Sequence, residues 1–200
     1  MPGGRPPVAI GDSSHVVLVE MHGLDEAIDG ARFAAWLERL FEAWIVDDGT
    51  VAQSIGDVRA FWETRDAAAE LANPEVIGPH LSYDIGLPVA RMDEFAAACK
   101  PALAQALGCE SIYYGHIGDG NMHIVAWVPG AAPQPIAEVN HVVYGIVREM
   151  GGSVSAEHGI GMLKKPYLGH SRSDAELALM RRLKACLDPD GVLNPTKVFD

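Results

Sequence analysis

The sequence predicts an α+β fold, a mostly antiparallel sheet with helices packed on it. Three observations carry that reading. Strand-like runs are few, stretches of helical period are several, and between them an Asp-Gly turn joins two apolar runs as a hairpin. With 15 Lys+Arg against 27 Asp+Glu among 200 residues, the chain carries a formal net charge of −12. That balance disfavours nucleic acid or an anionic membrane as the main partner, since both reward positive charge. Hydrophobic residues at 48% and charged residues at 21% exclude a disordered chain. No apolar run approaches the roughly 20 residues of a membrane-spanning helix.

Met1-Pro2-Gly3-Gly4-Arg5-Pro6-Pro7 has no signal-peptide core and reads as the start of a flexible lead-in over residues 1–14. Residues 15–200 then read as one domain, and the expected setting is cytoplasmic. The three cysteines, Cys99, Cys109 and Cys186, are odd in number and widely spaced, against both a disulfide scaffold and a thiolate zinc site.

Val16 to Met21 is β-branched and apolar and reads as a strand. From Asp25 to Trp44 the period changes: Phe33, Trp36, Leu37, Leu40, Phe41 and Trp44 form a helical stripe. A second helix is expected from Val58 to Leu71, stopped by Asn73-Pro74. Leu81 to Leu87 reads as a strand, and Asp93 to Leu107 as a helix that Pro101 must kink or divide. Ser111 to Val128 reads as a hairpin and Ile136 to Met150 as a helix. Ser173 and Glu176 form a capping box for a helix with the stripe Leu179, Met180, Leu183, Cys186 and Leu187, ending at Asp188-Pro189.

The hairpin tip carries the chemistry. If Asp119-Gly120 is a two-residue type I′ loop, His116 faces His123 across the ladder. Opposed Cβ atoms lie about 4.5–5.5 Å apart, so two imidazoles can converge on one metal or anion. Tyr114, Asn121, Val125 and Trp127 would share their face, with Ile117, Met122, Ile124 and Val128 on the other. Solvated surface histidines are the competing reading. Two imidazoles hold a divalent ion poorly, so an oxygen ligand is wanted. Gly151-Gly-Ser-Val-Ser-Ala-Glu-His-Gly-Ile-Gly161 offers Glu157, although the stretch also suits an ordinary solvent loop. His116, His123 and Glu157 would leave coordination positions open, and His158 could act as general base.

Gly115-His-Ile-Gly-Asp-Gly-Asn-Met-His123, Ser155-Ala-Glu-His-Gly-Ile-Gly161 with Lys164-Lys165, and Leu187-Asp-Pro-Asp-Gly-Val-Leu-Asn-Pro-Thr-Lys197 stand in that order. Together they closely resemble the C-terminal cap domain of the FAD-linked oxidases. That group holds D-lactate dehydrogenase, D-2-hydroxyglutarate dehydrogenase and the glycolate oxidase D subunit, within the vanillyl-alcohol oxidase superfamily. Tyr83-Asp84-Ile-Gly-Leu-Pro88 resembles the family's strand before the next helix. The resemblance covers about residues 15 to 200.

It implies a cap over a flavin that supplies the substrate pocket. Metal-dependent members use the residues matching His116, His123 and Glu157 as ligands, and the histidine matching His158 is their base for the substrate hydroxyl. Arg65, a few residues after Trp62, maps to an arginine that binds substrate carboxylate. Asn121 is a further substrate contact, and Asn194 and Lys197 are expected near the flavin edge. Zn²⁺, Mn²⁺ and Fe²⁺ all suit such a ligand set.

Three departures bear on the substrate. Ser82 replaces a lysine before Tyr-Asp, Ala69 replaces a threonine after the arginine, and Val125 replaces an asparagine beyond the second histidine. Contacts to a second carboxylate are therefore missing, which favours a lactate- or glycolate-type D-2-hydroxy acid over 2-hydroxyglutarate. The family's N-terminal FAD-binding domain has no counterpart in these residues, so a FAD-binding domain or subunit is an expected partner and the chain alone is expected to be inactive. The alternatives are a non-catalytic metal- or ligand-binding subunit docking on a separate flavoprotein, with an exposed apolar face or a homodimer as its mark, and an unrelated metal-dependent hydrolase.

Overall fold

The computed structural model describes residues 15–67, 70 and 73–199. The lead-in over residues 1–14, Ala69 and the end of the second expected helix at Leu71 lie outside them. The chain divides into two compact units, Met1–Glu70 and Leu71–Asp200.

In the first unit, α1 (Glu26–Glu42) begins where Asp25 accepts the N–H groups of Ala27 and Ile28, satisfying two donors of the first turn. Phe33, Trp36, Leu37 and Leu40 form its half-buried stripe, whereas Phe41 and Trp44, expected in the same stripe, are exposed, Trp44 lying beyond the helix end. Helix α2 (Ile55–Asp66) starts three residues before its expected position, because Ser54 accepts the Asp57 N–H and sets the cap. Val16 to Met21 is a correction: it forms no strand. A strand exists only as part of a ladder, and none pairs with this segment among the described residues, where Val16 and Val17 are 61% and 59% exposed.

The second unit opens with a single helical turn, α3 (Pro74–Ile77), so Asn73-Pro74 starts a helix as N-cap and first residue, whereas α2 ends earlier, at Asp66, and not at this dipeptide as expected. Its sheet has three antiparallel strands in the order β1-β3-β2: β1 (Leu81–Gly86), β2 (Glu110–His116) and β3 (Asn121–Trp127). Helices α4 (Met92–Leu107) and α5 (Ile136–Glu149) follow β1 and β3 in the chain. Pro101 does not divide α4. The ring is exposed, while Met92, Phe95, Cys99 and Leu103 bury one continuous face. Burying such side chains at about 1.5–3 kcal/mol each offsets one missing helix bond.

Period two divides the sheet. Tyr83 and Ile85 of β1 and Met122, Ile124 and Ala126 of β3 belong to the core, with Phe95, Cys99 and Leu103 from α4 and Val139, Val143, Tyr144 and Val147 from α5. The Tyr83 hydroxyl donates to Asn140 Oδ1 at 2.7 Å, so its burial leaves no orphaned hydroxyl. This arrangement is α+β, as the sequence indicates. Helix α6 (Asp174–Leu187) has the expected capping box, but its stripe is not covered: Leu179, Leu183 and Leu187 are exposed among the described residues.

The hairpin is where its sequence would place it, with a different loop. Residues 117–120 form a four-residue turn, so His116 pairs with Asn121 and Tyr114 with His123. A type I′ turn needs two consecutive residues at positive φ. Here only Gly120 has it, at +78°. Asp119 instead accepts the Asn121 N–H, and the Gly120 N–H donates to the His116 carbonyl. Because the register moves by two, every side chain keeps its predicted face, apart from Ile117, which now sits exposed in the loop.

Gly120 also accepts the Leu87 N–H at 2.8 Å, and a Cβ there would lie 2.1 Å from the Leu87 carbonyl oxygen. Gly120→Ala is expected to cost about 2 kcal/mol or more, from left-handed strain together with that collision. Urea unfolding reads it, and an unchanged midpoint would mean the turn is not held as described.

Candidate functional site

The face of the sheet away from the core holds Ser82, Asp84 and Gly86 of β1, Asn121, His123 and Val125 of β3, and Tyr114 and His116 of β2. The His116 and His123 rings lie edge to face with centroids 5.7 Å apart, a diagonal contact that replaces the opposed one expected from a two-residue loop. Tyr114 flanks His123 at 5.2 Å. The His158 ring stacks on His123 at 6.3 Å. Three of the expected site residues thus converge.

The loop bearing Glu157 and His158 is tied to the end of β1. Ser153 and Gly86 exchange backbone hydrogen bonds of 2.7 and 2.9 Å. Gly152 makes this approach feasible, since a Cβ there would stand 2.6 Å from the Gly86 carbonyl oxygen. Val154 is fully buried, and its N–H donates to Ser171 Oγ at 2.8 Å. Beyond it the chain turns back over Asp84. Oδ2 of that carboxylate accepts the N–H of Glu157 at 3.0 Å and of His158 at 2.9 Å. Lys164 Nζ stands 3.6 Å from the same oxygen and donates to the Asp84 carbonyl and the Ser155 hydroxyl.

Burial pushes the Asp84 carboxyl upward, but the backbone donors of His158 and Glu157 and the Lys164 charge outweigh it, and the group is held below the usual carboxylate range. Asp84 is therefore an anion. Burial also holds His123 below the usual imidazole range, although Asp84 and Glu157 pull it upward. A neutral imidazole is the form that accepts hydrogen bonds and binds metals.

The remaining expected residues differ in access or belong to the other unit. Glu157 is exposed, and among the described residues no three His, Cys, Asp or Glu side chains are grouped so as to hold a metal ion. Asn121 is buried, with neither amide atom partnered among the described residues. Arg65 ends α2 in the first unit, beside Asp66 at 3.1 Å. Asn194 is exposed at φ +46°, in a segment that Val198 ties to the Gly161 carbonyl and Lys165 Nζ to the Thr196 carbonyl.

Asp84 and Lys164 as anchors were not assigned from the sequence. A signal existed, since an acid between Tyr83 and Ile85 is a residue that strands disfavour.

The model of the FAD linked oxidases, C-terminal domain, matches residues 9–198. The chain belongs to this family. It is 34% identical over 188 residues to the mitochondrial D-2-hydroxyglutarate dehydrogenase of Rattus norvegicus, covering 94% of this chain and 35% of that protein. It is 34% identical over 194 residues to the D-2-hydroxyglutarate dehydrogenase of Xanthomonas citri pv. viticola, covering 93% and 40%. A Schizosaccharomyces pombe protein with the provisional name of a mitochondrial D-lactate dehydrogenase is 33% identical over 190 residues, covering 90% and 36%. The chain spans between a third and two fifths of the length of these relatives. Its relatives are thus D-2-hydroxyglutarate and D-lactate dehydrogenases by name, and this chain corresponds to the C-terminal domain of the FAD linked oxidases.

Proposed function

We propose that this chain is the substrate-binding cap of an FAD-dependent dehydrogenase or oxidase acting on a D-2-hydroxy acid of the lactate or glycolate type. The convergence of His116, His123 and His158 on one sheet face, above an ionised Asp84, supports the reading most directly. FAD, when bound by the remainder of the enzyme, supplies the acceptor for the substrate hydride. A divalent ion such as Zn²⁺, Mn²⁺ or Fe²⁺, when bound, polarises the substrate hydroxyl. His116 and His123 are its assigned ligands, their rings close enough to share one small ion. Glu157 is the assigned third ligand, an exposed side chain whose charge already acts on His123.

His158 is assigned as general base: its ring takes the hydroxyl proton as the α-carbon gives up its hydride. The substrate carboxylate is assigned to Arg65, a hydroxy-acid oxygen to the unpartnered amide of Asn121, and the flavin edge to Asn194. Ser82 and Val125 are direct cross-strand partners on the site face. Where the resemblance calls for lysine and asparagine, the pair offers one hydroxyl and no charge. A one-carboxylate substrate fits that patch better than 2-hydroxyglutarate, the substrate in the names of the rat and Xanthomonas relatives. The cytoplasm is the compartment proposed with this activity, whereas the rat and fission-yeast relatives are named as mitochondrial. No helix among the described residues is long and apolar enough to cross a membrane.

A second reading, a non-catalytic subunit that docks on a separate flavoprotein or pairs as a homodimer, draws on the exposed α6 stripe of Leu179, Leu183 and Leu187. The test pairs the chain with its flavin-binding part and compares D-lactate, glycolate and D-2-hydroxyglutarate, with metal content measured beside activity. Turnover of the smaller acids, with one ion per chain lost in His116→Ala and in His123→Ala, is expected. Both variants should stay folded, since the core lies on the opposite face. Preference for D-2-hydroxyglutarate would overturn the substrate class, an ion retained in both variants would overturn the ligands, and no turnover would favour the docking subunit.

A further inference from the structure

Asp84 stands mid-strand with its side chain fully out of solvent, yet neither the ladder nor the core requires an acid at that position. Strand pairing runs through backbone groups, and the core packs on the other face. What the carboxylate does hold is the loop above it. Two consecutive backbone N–H groups, those of Glu157 and His158, converge on Oδ2, with the Ser155 hydroxyl at 3.3 Å and His158 Nδ1 at 3.7 Å.

The loop has little else to fix it. After buried Val154, residues 156–159 are exposed, and Gly159 and Gly161 sit at positive φ, +74° and +53°. Apart from Asp84, the hydrogen bonds of residues 155–159 run within the loop, to Ser153 and to Lys164, which itself leans on Asp84. Without the carboxylate, the Glu157 and His158 N–H groups would lose their acceptor, and the ties left at the two ends of the segment would be those through Ser153, Lys164 and Ile160.

We propose that Asp84 is the positioning residue of this site, holding the Glu157-His158 backbone against the sheet and setting the His158 ring beside His123, with Lys164 balancing its charge. This rests on the reading of His158 as the base. Proton abstraction demands a base within hydrogen-bond reach of the substrate hydroxyl, and a displacement of about 1 Å can cost a hundredfold in rate. Asp84 touches neither substrate nor cofactor in this role. It acts through the loop.

Two measurements on Asp84→Ala and Asp84→Asn test the proposal. In the full chain, amide hydrogen exchange at Glu157 and His158 is expected to accelerate at least tenfold or so in Asp84→Ala, since each lost bond to a charged acceptor contributes about 1.5–3 kcal/mol. The Ile124 and Ala126 amides in β3 report opening of the whole unit and should lose clearly less protection than the two loop amides. Asp84→Asn, which retains a carbonyl acceptor in place of Oδ2, should restore much of the loop's protection. In the flavin-loaded enzyme, Asp84→Ala should lower kcat at least tenfold with KM changed far less, and Asp84→Asn should recover part of it.

Equal acceleration of loop and β3 amides would overturn the proposal in favour of a purely structural acid. So would unchanged exchange at Glu157 and His158, or a kcat in Asp84→Ala equal to the parent's. His158→Ala separates the two layers. If that variant keeps full kcat while the Asp84→Ala loop loosens, the base assignment fails and Asp84 as the loop's anchor stands.

Discussion

Replacing His158 with alanine is expected to lower kcat of the flavin-loaded enzyme by a factor of about 10²–10⁴, the usual contribution of a positioned general base. KM for the hydroxy acid should move by only a few-fold, because the carboxylate and hydroxyl contacts are assigned to other side chains. The loss cannot be ascribed to unfolding. The His158 side chain is 67% exposed, its backbone N–H bond to Asp84 survives the substitution, and it is not a member of the core. The unfolding midpoint of His158→Ala should therefore match the parent's. His158→Gln, which can accept a hydrogen bond but not hold a proton at neutral pH, should be about as slow. Parent-like kcat in either variant would move the base elsewhere.

Much of this site was legible because period-two alternation assigns faces without knowledge of the turn. His116, His123, Tyr114 and Asn121 share a face under either register, since a slip of two preserves parity. The loop type was not legible. Asp119-Gly120 suits a type I′ turn locally, but the Leu87 N–H pairs with the Gly120 carbonyl, a contact from another strand that no dipeptide rule contains. Val16 to Met21 shows the same limit from the other direction. Its composition suits a strand, yet strand formation depends on a partner that local sequence does not specify. Pro101 was overruled by packing, since one buried helix face outweighs one lost hydrogen bond. The anchoring by Asp84 spans more than seventy residues, from Asp84 to Glu157 and His158. Only the three-dimensional arrangement brings those donors to that acceptor.

Lys164→Met is expected to destabilise the second unit by about 3–5 kcal/mol, the cost of leaving one member of a buried ion pair behind. The pair is asymmetric, which makes the choice of partner matter. Lys164 sits on a flexible stem with its side chain 14% exposed, and burial already holds its ammonium below the usual lysine range despite the pull of Asp84. If Asp84 is removed, that ammonium can swing out to water. Asp84 has no such escape: its side chain is fully buried on a paired strand, and Oδ1 has no partner among the described residues. Removing the lysine therefore strands a carboxylate, whereas removing the carboxylate frees a lysine. Asp84→Asn should cost less than Lys164→Met, and the double variant should recover much of the loss, with a coupling energy of about 1–3 kcal/mol in urea unfolding. Strict additivity would mean that the two charges do not depend on each other. In Lys164→Met the Glu157 and His158 N–H groups still meet Asp84, so their exchange should follow the fall in global stability and no more. The same carboxylate then shows two separable roles, one towards the stability of the unit through Lys164 and one towards the placement of His158 through the loop.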